Sequence, residues 1–186
     1  MNTMESKIKS LEELMAIVAA HRRTGKPTIV FTNGCFDLLH IGHIRYLQQA
    51  KQLGDVLIVG LNSDQSARSL DKGDGRPVIP EEQRAEVLSA LGCVDFVLLF
   101  DDPDPLHLIE NLRPDILVKG GDWTLDRIIG REVVEANGGK VCSIPLVPGV
   151  STTKIIQRIQ SMLPQPPKGK NSAGDKGPSA TSSTVL

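Results

Sequence analysis

Neither sign of charge dominates this sequence: 21 Lys+Arg stand against 22 Asp+Glu in 186 residues, a formal net charge of -1. An extended nucleic-acid surface needs a clear excess of lysine and arginine. Bulk nucleic-acid binding is therefore excluded, which leaves room only for a local basic pocket. Cysteine is scarce. Cys35, Cys93 and Cys142 are far apart, odd in number and never form CxxC. That excludes a disulfide framework and a cysteine zinc site, and suits a reducing cytoplasm. No apolar run approaches membrane-spanning length, and residues 1–9 are polar without the apolar core of a secretory signal. No carboxylate cluster forms a dedicated metal cage. These absences describe a cytoplasmic protein with no membrane partner, and the length suits one domain with a real core.

What is present alternates. Ser10 with Glu13 reads as a capping box, and Leu11, Leu14, Met15, Ile17 and Val18 form an apolar stripe behind it. Gly25 closes that helix, so residues 1–26 read as an N-terminal helix packed on the core. His21, at its polar end among arginines, reads as a solvated residue. Residues 28–31 form an apolar strand, punctuated by Asn33-Gly34, and a helix follows from His40. Residues 55–62 give a second strand, and residues 63–80 a polar stretch. A helix follows over 80–91, then a strand over 94–100 and a short helix over 105–112. The last units are a strand from 116 to 118 running into Lys119-Gly120-Gly121, a helix over 131–136, a strand over 141–145 and a helix over 154–163. Near-continuous apolar strands alternating with helices predict an α/β fold. It is a Rossmann-like, doubly wound, five-stranded and mainly parallel sheet with helices on both faces. The domain is expected to cover residues 27–163, with 164–186 a disordered tail of proline, glycine, serine, lysine and threonine.

Ligands of such folds sit at the carboxyl ends of the strands. Three segments fall there: His40-Ile41-Gly42-His43, Lys119-Gly120-Gly121-Asp122 and Gly149-Val150-Ser151-Thr152-Thr153. A helix N-terminus favours phosphate through its free N–H groups and its dipole, and two histidines three residues apart can face one phosphate. The bland alternatives are a pair of capping histidines and a plain Ser/Thr helix cap.

The run Gly34-Cys35-Phe36-Asp37-Leu38-Leu39-His40-Ile41-Gly42-His43 resembles the first motif of the HxGH nucleotidyltransferases. Gly149 to Thr153 is similar to their G-[IV]-S-T-T segment. The resemblance covers roughly residues 27–159. It implies transfer of a nucleotidyl group from a nucleoside triphosphate, with pyrophosphate leaving and no covalent enzyme intermediate. By that resemblance His40 and His43 would donate to the α-phosphate, and Gly42 would let it approach the backbone. Gly34 and the N–H groups of Cys35 and Phe36 would cradle it. Gly149, Val150, Ser151, Thr152 and Thr153 would hold the β- and γ-phosphates. Arg84, Lys119 and Lys72, in that order of preference, are the candidate phosphate cations. Lys119, Gly120, Asp122 and Trp123 would meet the second substrate. Asp64 reads either as a ligand to a sugar hydroxyl or as a turn cap, and Asp37 as a turn cap or part of the site, the structural role being preferred. Mg2+ would ride on the triphosphate rather than in a protein cage.

Within that family the near relatives include glycerol-phosphate cytidylyltransferases. They carry arginines where this chain has Gly92-Cys93 and Leu146-Val147-Pro148. The set Thr32 to Asp37, Gly75-Arg76-Pro77-Val78, Val118 to Asp122 and Pro148 to Thr153 instead resembles the heptose 1-phosphate adenylyltransferases, which make ADP-heptose for lipopolysaccharide core or surface glycan. The resemblance implies ATP as co-substrate, a sugar phosphate as partner, a homodimer as an option, and an adenylyltransferase standing without the sugar kinase that often precedes it. Two rival classes remain. One is a non-catalytic nucleotide-binding regulator, disfavoured by the presence of both histidines and the hydroxyl cap. The other is an aminoacyl-tRNA synthetase fragment, disfavoured by the short, near-neutral chain without a KMSKS-like loop.

Overall fold

The chain's most continuous apolar run becomes its most buried element. Val56–Asn62 forms a strand, β2, in which every residue is buried. Ile29–Gly34 forms β1 beside it, with Ile29 opposite Val56 and Gly34 opposite Leu61. The computed structural model describes residues 7–70, 75–121, 124 and 127–163. Within them α1 is Leu11–Thr24, α2 Ile41–Lys51, α3 Asp64–Ser69, α4 Glu81–Ser89, α5 Leu106–Leu112, α6 Arg131–Ala136 and α7 Thr152–Met162. Strands β3, β4 and β5 are Phe96–Phe100, Ile116–Gly120 and Lys140–Ile144. The sheet order is β3-β2-β1-β4-β5 and every strand pair is parallel, not merely most of them.

Side chains alternate across the sheet, as the two-residue period of a strand requires. Ile29, Phe31, Val56 and Ile58 face α1, α5 and α6, where Leu14, Val18, Ile109, Leu112 and Val134 complete one core. Val30, Leu57, Val59 and Leu61 face α2 and α4, meeting Leu47, Ala50, Ala85 and Leu88 in the other. Each fully buried leucine or isoleucine contributes about 2 kcal/mol. Strand order reverses between β1 and β4, and a crevice opens at their carboxyl ends there.

Several expectations are corrected. The polar stretch 63–80 holds a helix, α3, because Ser63 accepts the Ser66 N–H at 3.1 Å and caps it. Ser66 anchors that helix by donating to the Asp102 carbonyl at 2.8 Å. The third strand starts at Phe96 rather than 94, and the fifth runs 140–144 rather than 141–145. Met15 is exposed while Leu14 and Val18 carry the helix stripe. The capping box of α1 forms as read, with Ser10 N–H donating to Glu13 at 2.7 Å. Ahead of it the chain does more than lead in. Ile8 bridges Val97 of β3, and the Lys7 ammonium donates to the carbonyls of Leu91 and Val94. This covers part of the β3 edge. Residues 1–6 and the tail 164–186 lie outside the described residues.

Candidate active site

His40 is the N-cap of α2. Its extended backbone (φ -142°, ψ 170°) lets Nδ1 accept the Gly42 N–H at 3.1 Å. An accepting Nδ1 carries no proton, so the neutral ring keeps its hydrogen on Nε2. The tautomer is assigned by that bond. Burial also pushes the His40 pKa down, favouring the neutral form. The His43 ring stacks on it, with centroids 3.9 Å apart and planes 20° apart. Two protonated rings at that distance would repel. Phe36 meets His43 edge-on at 5.5 Å. The capping reading is realised at His40, and it occupies Nδ1 alone, so the same ring keeps a donor on Nε2. Gly42 lines the cavity, and a Cβ there would sit 2.9 Å from the His40 ring, so the glycine also makes room for the cap.

The rear of the site is the start of α7. Gly149 takes φ +79°, the left-handed turn that favours glycine, and Ser151 then caps the helix by accepting the Lys154 N–H at 3.2 Å. Thr152 is buried and donates Oγ1 to the Leu38 carbonyl at 3.2 Å. That bond spans 114 positions and ties the last helix to the turn before His40. The two segments thus share one cavity of about 340 Å³, lined by His40, His43, Val150, Ser151 and Thr152 with the turn from Gly34 to Asp37. The first N–H groups of α7, at Thr152 and Thr153, have no intrahelical acceptor by construction. Gly149 and the exposed Thr153 are not part of the lining.

Two arginines are fastened to acids, Arg76 in the cavity lining and Arg84 outside it. The Asp37 carboxylate is buried and accepts Val78 N–H at 2.8 Å, Ile79 N–H at 3.0 Å and Arg76 Nε at 3.1 Å. These bonds fit the structural reading, and Asp37 also lines the cavity. Arg84 is not where the resemblance put it. Its side chain is fully buried and does not line the cavity. Its Nη1 donates to the carbonyls of Cys35 (2.6 Å) and Asn62 (2.9 Å), its Nε to Ile79 (2.9 Å) and its Nη2 to Asp64 (2.6 Å). Those partners keep it out of the cavity lining. Because a trans peptide sets C=O and N–H in opposite directions, holding the Cys35 carbonyl aims the Phe36 N–H away from Arg84. Asp64 is likewise committed, to Arg84 and, at 3.6 Å, to Arg68.

At the carboxyl ends of β1 and β4, the Lys119 ammonium donates to Asn33 Oδ1. Asn33 and Gly120 line the cavity, as does Tyr46, whose hydroxyl is shared with Thr32 at 2.6 Å and with the Val118 carbonyl at 3.2 Å. Burial pushes the Tyr46 pKa up to about 12, so it stays a neutral hydrogen-bonding post. Lys72, Asp122 and Trp123 lie outside the described residues. His21 is remote from the cavity. Sequence reasoning missed Arg76, Asn33, Tyr46, Leu146 and Val147 as liners. For Arg76 a signal existed in Gly75-Arg76-Pro77, a lone cation in turn residues just before a helix. No group of three or more histidine, cysteine or acidic residues could hold a metal among the described residues, and none of the described helices is long and apolar enough to cross a membrane.

A parallel Rossmann-like sheet with a HxGH helix start and a hydroxyl-capped helix around one cavity defines the class. The chain belongs to the cytidylyltransferase-like family, whose model matches residues 31–158. More particularly, it is 56% identical over 155 residues to the bifunctional protein HldE of Geobacter sulfurreducens. It is 57% identical over 155 residues to the protein of the same name from Syntrophotalea carbinolica. Each match takes in 83% of this chain but 31% of the relative, so the chain spans about a third of the length of these curated relatives. Among solved structures, the lipopolysaccharide core biosynthesis protein from Thermoplasma volcanium superposes with a TM-score of 0.53 at 31% identity. That match covers 65% of this chain and 97% of that one. A pantoate-beta-alanine ligase from Francisella tularensis shares the fold, with a TM-score of 0.51 at 17% identity over 86% of this chain and 79% of its own.

Proposed function

We propose that this chain transfers AMP from ATP to D-glycero-β-D-manno-heptose 1-phosphate, giving ADP-heptose and pyrophosphate in a bacterial cytoplasm. The observation that carries the reading is the shared cavity: two imidazoles from the front of the chain and the α7 cap from its rear meet around one space of about 340 Å³. A phosphate oxygen of the sugar attacks the α-phosphorus. The bond from that phosphorus to the bridging oxygen breaks, and pyrophosphate leaves with the electron pair. Such a step needs positioning and charge stabilisation more than covalent help. His40 Nε2–H donates to the α-phosphate as its charge builds, with the His43 ring stacked behind it, and the α7 N-terminus takes the outer phosphates. Mg2+ would come with the triphosphate and offset part of its charge. The buried carboxylate nearest the cavity, Asp37, already accepts three N–H groups.

The choice of adenylyl over cytidylyl transfer is supported by the cavity wall. Leu146, 60% exposed, and Val147 line it where the sequence resemblance puts an arginine in the glycerol-phosphate cytidylyltransferases. The likeness to a lipopolysaccharide core biosynthesis protein supports a role in the same kind of biosynthesis. The test is an assay of the purified chain with Mg2+, following pyrophosphate release. ATP with the heptose 1-phosphate is expected to turn over, and CTP with glycerol 3-phosphate is not. The reverse pattern would replace this reading with a cytidylyltransferase. ATP binding without turnover on any phosphorylated partner would make the chain a regulator.

A further inference from the structure

A triphosphate needs a permanent positive charge beside it, and the cation expected for that task is buried elsewhere. Arg84 serves the Cys35, Asn62 and Ile79 carbonyls and Asp64, with a side chain that has no exposure. Among the described residues one lysine or arginine lines the cavity, and it is Arg76. Its Nε is held by Asp37 at 3.1 Å, and its side chain keeps 16% exposure against 1% for the acid. Asp37 is itself immobilised by the Val78 and Ile79 amides. A guanidinium fixed through Nε still has two terminal amino groups, the pair that grips phosphate oxygens in bidentate fashion. The position selects which phosphate. Arg76 is bound to Asp37, and the next residue, Leu38, holds Thr152 of α7 through its carbonyl. Arg76 and the α7 cap therefore flank the same two residues. The Lys119–Asn33 pair stands at the carboxyl ends of β1 and β4, and Asn33 lines the cavity there.

We infer that Arg76 is a binding residue for the β- and γ-phosphates and hence for the departing pyrophosphate, with Asp37 as its positioning residue. The inference rests on the nucleotidyl-transfer reading above. Arg76 acts as a charge and not as an acid or base. It neutralises the charge that collects on pyrophosphate as the bond to the α-phosphorus breaks, and no proton passes through it.

Steady-state kinetics of the full chain in both directions test this. Arg76→Ala is expected to raise KM for ATP, and for pyrophosphate in the reverse reaction, by about tenfold or more, while KM for the sugar 1-phosphate stays within about twofold. Arg76→Lys, a point charge without the fork, is expected to recover only part. Should Arg76→Ala fail to fold, Arg76→Gln carries the same expectation. An unchanged KM for ATP and pyrophosphate in a folded variant, or a rise confined to the sugar phosphate, overturns the assignment. If the wild-type chain turns over none of the substrates, the functional reading falls first. Calorimetric titration with inorganic pyrophosphate then decides Arg76 separately. Weaker binding by Arg76→Ala supports the site, and equal binding, or none by either protein, removes it.

Discussion

His40→Ala is expected to lower kcat for adenylyl transfer by about 10²-fold or more, the scale of one lost transition-state donor. The variant also removes a helix cap, which costs about 1 kcal/mol, so alanine alone mixes two effects. His40→Asn separates them. Asparagine is a good N-cap and can accept the Gly42 N–H in place of Nδ1, but it cannot put the same donor at Nε2. The expected pattern is a melting temperature near wild type for His40→Asn, with kcat as low as in His40→Ala. Near-normal turnover in His40→Asn would reduce His40 to a cap. The wild-type pH profile is a companion measurement. Burial lowers the His40 pKa, so the ring stays neutral through neutral pH and below the ordinary histidine value. As pH falls past about 6.5, the unfolded chain takes up a proton before the native ring does, so the native state loses stability on the acid side. Once the native ring is protonated, an Nδ1–H would face the Gly42 N–H. The acid limb of kcat is therefore expected below the usual histidine range, with no limb from this residue above neutrality.

Arg84→Met is expected to destabilise the fold by about 3 kcal/mol or more, because it leaves a largely buried carboxylate and two buried carbonyls without their donor. For a chain of this size that is a fall in melting temperature of roughly 6–12 °C. Asp64→Ala, which strands the guanidinium instead, is expected to fall in the same direction. Arg84→Lys should rescue little, since one ammonium cannot reach the Cys35, Asn62, Ile79 and Asp64 oxygens together. The competing idea, that Arg84 touches the triphosphate, makes the opposite forecast: unchanged thermal stability and a raised KM for ATP. Thermal melts beside ATP kinetics on one preparation separate the two.

The contrast between these arginines shows where reading the chain alone stops. Arg84 and Arg76 are eight positions apart, flank the start of the same helix, and carry the same charge in the sequence. Nothing local tells which will be buried. The answer came from strands more distant in the chain. The β1 turn brings the Cys35 carbonyl, and the β2 end brings Asn62 and Asp64, to one point under α4. Asp37 of that turn meets the segment just before α4 and catches Arg76. The same limit explains α3. Its six residues are too short and polar for periodicity to show, and the helix exists because Ser63 caps it and Asp102 receives Ser66.

Much of the rest was written locally. Continuous apolar runs with turn residues between them specify parallel strands buried on both faces, because no other arrangement removes both faces from water. The capping box of α1, the histidine start of α2 and the serine start of α7 are contacts over two or three residues, so spacing alone reveals them. What only the folded chain decided was partnership at long range. The Thr152 hydroxyl reaches Leu38 across 114 positions, and one arginine is turned inward while the other is held at the cavity. Short-range hydrogen bonds follow from residue order; which buried oxygen claims which cation depends on where the sheet sets its strand ends.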